Sequence, residues 1–73
     1  MVQLSKALIE PLTERERQVL RLLTTGLSSS EIAEQLIISV HTARTHIKSI
    51  YGKLDVHSRR DAVEIGKSRG LIP

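Results

Sequence analysis

Apolar residues recur at steps of three and four along most of this chain, and each run opens on a hydroxyl residue able to cap a helix. The clearest run follows Ser39, where Val40, Ala43, Ile47, Ile50 and Leu54 fall on one face of a helix about four turns long. That whole face is expected in the core. Upstream, Ser28 with Glu31 makes a capping box, and Ile32, Ala33 and Leu36 give the short helix behind it one apolar edge. Thr13 with Glu16 is a second box, followed by Val19, Leu20, Leu22 and Leu23, with Gly26 as the stop. Arg15, Arg17 and Arg21 alternate there with Glu14 and Glu16 and read as surface pairs of little worth, a phosphate contact being the minority alternative. Beyond Asp55 and Val56, His57 or Ser58 caps a last helix that Gly70 ends. Ala62, Val63 and Gly66 give it a small-residue face suited to close packing. Ile65, at the edge of that face, is either peripheral core or a patch for a second subunit.

The pattern predicts an all-α, four-helix domain without a sheet, with helices near 14–24, 29–36, 40–54 and 59–68. Pro11 stops any helix begun by Leu4 and Leu8, so residues 1–11 read as a linker or tail from a longer protein and 12–73 as the domain. Only Leu36 to Ser39 separates the second helix from the third. A link of about three residues between two apolar faces that must share a core is the spacing of a helix-turn-helix.

Opposite the apolar face of the third helix, at about 100° per residue, lie His41, Thr45, Lys48 and Gly52, with Arg44 on one shoulder and Thr42, His46 and Lys53 on the other. From Leu36 to Leu54 there is no Asp or Glu. A helix that shows Arg and Lys among small hydroxyl residues can enter the B-DNA major groove, where Arg and Lys match guanine acceptors. Arg44, Thr45 and Lys48 lie where base edges would be read; His41, Thr42, Tyr51 and Lys53 lie where backbone phosphates would run. Ser30, at the N-terminus of the second helix, is a further phosphate candidate. Taken alone, this strip fits a merely solvated face equally well.

Composition sharpens the choice. The net charge is +3 and the pI about 9.8, while all eight acids lie outside the third helix. Seventy-three residues without Trp, Phe or Cys make one domain whose core comes from Leu, Ile and Val, with no disulfide or thiolate chemistry. His41 and His46, five apart and about 140° round the helix, do not share a metal. With no glycine-rich phosphate loop and little room for a cleft, no catalysis, cofactor or metal is expected. No apolar run is long enough to span a membrane and no secretory signal is visible, so the expected setting is the cytoplasm.

These residues together resemble the DNA-binding domain of the LuxR family of bacterial transcription regulators. The resemblance runs from Pro11 to Ile72: LTERERQVLRLL at 12–23, GLSSSEIAEQL at 26–36, Ile38 and Ser39, then Thr42, Arg44, His46 and Ile47, and KLDVHSRRDAV at 53–63. IYGKL and the closing GLI are similar to the large ATP-binding, maltose-activator-like members. Ala43 stands where Val is usual, Arg44 for the commoner Lys, Ser29 and Ser30 for a more polar pair, and Asp55 for a frequent Gly. Ala43 is expected to loosen packing slightly, and Asp55 leaves the conformation of its turn open. The resemblance implies the C-terminal domain of a longer regulator that binds double-stranded DNA as a homodimer. The third helix would lie in the major groove and helix 59–68, with Ile65, would contribute to the dimer. A second reading is a protein-interaction module that docks its basic helix on an acidic partner such as a subunit of RNA polymerase.

Overall fold

The computed structural model describes residues 12–72, so the tail expected at 1–11 lies outside the described part. Four α-helices make the fold, and among the described residues there is no strand: α1 Glu14–Thr24, α2 Ser29–Leu36, α3 Val40–Leu54 and α4 Arg59–Ser68. These are the spans the caps predict.

Each helix begins on a hydroxyl. Thr13, Ser28, Ser39 and Ser58 each accept from the backbone N–H three residues on, satisfying a donor the helix leaves unpaired. Both capping boxes close, with Thr13 N–H donating to Glu16 at 2.9 Å and Ser28 N–H to Glu31 at 2.8 Å. Each helix is followed by a left-handed residue: Gly26, Ile37, Asp55 and Gly70. Asp55 settles the open turn by adopting φ 58°, ψ 49°. The next amide, that of Val56, donates to the Tyr51 carbonyl at 3.0 Å, as in a Schellman ending.

The helix α3 packs against α1 and α2, while α4 closes over α1 and α3. The core holds Leu12, Val19, Leu20, Leu23, Ile32, Ala33, Ala43, Ile50, Leu54, Ala62 and Ile72. The apolar face of α3 is narrower than its periodicity implies. Ala43, Ile50 and Leu54 are buried, but Val40 and Ile47 are only half-buried and flank the core. Four short helices cannot surround a full apolar stripe. The small face of α4 does allow close approach: a Cβ on the buried Gly66 would stand 3.0 Å from Leu20 Cδ2 and 3.1 Å from Ile72 Cδ1.

Candidate nucleic-acid interface

The turn that sets the direction of α3 rests on one unusual residue. Ile37 takes the left-handed conformation (φ 57°, ψ 51°), and its amide and that of Ile38 donate to the Glu34 and Ala33 carbonyls. The chain reverses, and Ser39 caps α3 two residues later. Its hydroxyl accepts from Thr42 N–H at 3.0 Å and donates to Thr42 Oγ1 at 2.9 Å.

From this start α3 turns His41, Arg44, Thr45, Lys48 and Gly52 to solvent, while Thr42, His46, Ser49, Tyr51 and Lys53 are half-buried along its sides. Ser30 is exposed near the N-terminus of α2. Among the described residues neither Arg44 nor Lys48 has an acidic partner, the ion pairs being Lys53 with Glu16 and Arg60 with Glu64. Two cations therefore stand on one exposed strip without an ion-pair partner among the described residues. Thr45 donates its hydroxyl proton to the His41 carbonyl at 3.0 Å, so it offers a ligand a methyl group and an acceptor. The Thr42 oxygen is occupied by Ser39 but keeps its proton to donate. Tyr51 packs against the core.

Lys53 is placed differently from what its charge suggests. Its Nζ lies 2.9 Å from Glu16 Oε1 with 23% of the side chain exposed, so its charge is neutralised within the fold. Glu16 in turn is no surface partner of an arginine, as the alternating charges of α1 suggest, but a buried carboxylate, 5% exposed. Oε1 accepts from Thr13 N–H and Lys53, and Oε2 accepts from Ser49 Oγ at 2.6 Å. Burial pushes its pKa up, but the Ser49 hydroxyl, the Thr13 amide and Lys53 together outweigh that and lower it from 4.5 to about 2. Glu16 thus joins the start of α1 to the second half of α3. Local pattern conceals this, since the capping box explains Glu16 by itself. The one available signal was that Ser49 and Lys53, four apart, share a shoulder of α3.

Arg59 is a second residue whose part is not legible locally. Its Nε and Nη2 donate to the Leu23 carbonyl at 3.2 and 2.9 Å, tying the first turn of α4 to the end of α1.

Similar proteins were found by sequence and by structure. Over 51 residues, 70% of this chain and 24% of the relative, the sequence is 51% identical to a nitrate/nitrite response regulator homolog of Haemophilus influenzae. The response regulator ChrA of a heme-sensing two-component system superposes with a TM-score of 0.83 at 38% identity, over 86% of this chain and 31% of ChrA. The transcription factor GerE superposes with a TM-score of 0.80 at 37% identity, over 85% of this chain and 92% of GerE. The chain thus spans about a quarter of the first relative and nearly all of GerE. None of the three is by name a large ATP-binding protein of the kind that IYGKL and GLI resemble. With residues 10–65 matching the family model as well, the chain belongs to the luxR family of bacterial regulatory proteins.

Proposed function

We propose that α3 lies in the major groove of duplex DNA, where Arg44, Thr45 and Lys48 read base edges and Ser30, His41, Thr42 and Tyr51 meet backbone phosphates. Lys53, the remaining phosphate candidate, reaches one only by sharing or leaving Glu16. Membership of the family makes the chain a DNA-binding helix-turn-helix module of transcription regulation. The observation that carries the residue-level reading is the pair Arg44 and Lys48, exposed on one strip of a helix that holds no acid. Arg matches guanine O6 and N7 in bidentate fashion, Lys matches the same acceptors as a point charge, and the Thr45 methyl fits beside a thymine methyl.

At the scale of the whole protein, the chain is read as the C-terminal effector domain of a longer regulator, working in the cytoplasm. It would bind DNA as a homodimer through α4 and Ile65 and contact RNA polymerase from its outer surface. The supports are the short share of the response-regulator relatives that it covers and the half-buried apolar edge of α4.

The test is affinity for a duplex selected by this chain from random sequences, set against affinity for unselected duplex. Arg44→Ala or Lys48→Ala should cost roughly 1–3 kcal/mol on the selected duplex and much less on the unselected one, because a base contact goes as well as a charge. If both variants fold and leave the ratio of the two affinities unchanged, α3 is not the reading element. The acidic-partner reading instead expects no measurable duplex affinity at low salt.

A further inference from the structure

Glu16 is not on the exposed strip, yet its contacts bear on how that strip is held. Its Oε2 fastens Ser49 and its Oε1 fastens Lys53, successive residues on one shoulder of α3, while Thr13 N–H locks the same carboxylate to the start of α1. A helix held at two points one turn apart cannot roll about its axis without breaking a part-buried, charge-assisted bond. Among the described residues, Lys53 is also the one cation of α3 paired with a carboxylate.

We infer that Glu16 is a positioning residue for DNA recognition. It fixes the roll of α3 through Ser49 and, by neutralising Lys53, withdraws one positive charge from sequence-blind phosphate binding. The first effect raises specificity, the ratio between selected and unselected duplex, and the second lowers affinity for both alike. Roll sets whether Arg44 and Lys48 point at base edges, and each phosphate neutralised adds affinity for every sequence alike. The carboxylate stays ionised throughout the neutral range, its pKa being lowered to about 2, so the neutralisation of Lys53 does not lapse under binding conditions. This rests on the reading of α3 as the element in the groove.

The experiment uses the whole chain with Glu16→Gln and Ser49→Ala, titrated with a wild-type-selected duplex and an unselected duplex over a range of salt, folding being followed by circular dichroism. Glu16→Gln should lower the affinity ratio about tenfold or more. Its log K against log salt should steepen on both duplexes by about one unit, as Lys53 turns to a phosphate. Ser49→Ala should lower the ratio less and leave the salt slope unchanged. Folded variants with wild-type ratio and slope, an equal loss on both duplexes, or a shallower slope in Glu16→Gln would each overturn the inference. If Glu16→Gln does not fold, Ser49→Ala decides: a wild-type ratio there overturns it too. Absence of wild-type affinity for any duplex would instead remove the groove reading, and this inference with it.

Discussion

Ile37 combines two unfavourable states in one residue: a β-branched side chain in the left-handed region and 90% exposure of the residue. The conformation costs an L-residue about 1–2 kcal/mol, and an exposed side chain recovers almost none of it by burial. Glycine relieves the strain but makes the unfolded chain freer by about 0.5–1 kcal/mol. Ile37→Gly should therefore stabilise the domain by about 0.5–1 kcal/mol, seen as a higher urea midpoint with unchanged slope. A lower midpoint would mean that Ile37 makes a contact worth more than its strain. Single residues of this kind are where sequence reading stops short. A stop after Leu36 was legible from the spacing of two faces, whereas nothing local says that an isoleucine supplies the positive φ. Glu16 escaped in the same way, because its alternation with arginines is a local fact and its burial under α3 is not.

Elements were far more legible, for a definite reason. Thr13 with Glu16, Ser28 with Glu31, Ser39 and Ser58 are caps whose bonds close within three residues, so the helix starts are encoded where they occur. What lies across helices is not encoded locally, and the width of the buried stripe on α3 is such a property. Ile47 sits on the periodic face yet is half-buried, while Ile50 on the same face is 0% exposed. An isoleucine cut to alanine costs about 2–5 kcal/mol when fully buried, through lost transfer energy and the cavity left behind. Ile50→Ala should fall in that range and Ile47→Ala clearly below it, so that Ile47→Ala still folds. Chemical denaturation of the two variants checks this ordering, and equal losses would mean that Ile47 is as enclosed as Ile50.

For the molecule as a whole, two bulk properties follow from these placements. The first is acid stability. Because the folded pKa of Glu16, about 2, lies below its ordinary 4.5, the unfolded chain binds the proton more tightly. The stabilisation from Glu16 is then complete above pH 4.5 and disappears as pH falls through about 2, a contribution on the order of 3 kcal/mol. Urea midpoints across that window should drop in the wild type and change much less in Glu16→Gln; parallel profiles would mean that another carboxylate governs acid unfolding. The second property is association. Ile37 is the exposed large apolar residue among those described, and on α4 Ile65 and Val63 are half-buried against the core, so little apolar surface remains to cover. A stable dimer needs about 800 Å² from each partner, and this edge falls short of it. Two copies held side by side on one duplex are a different case, since tethering replaces the free concentration by a far higher effective one. The isolated chain should accordingly sediment as a monomer at micromolar concentration and occupy a duplex carrying two sites cooperatively. Ile65→Glu should abolish the cooperativity while leaving affinity for a single site unchanged. A tight dimer without DNA, or cooperativity that survives Ile65→Glu, would place the subunit contact elsewhere than α4.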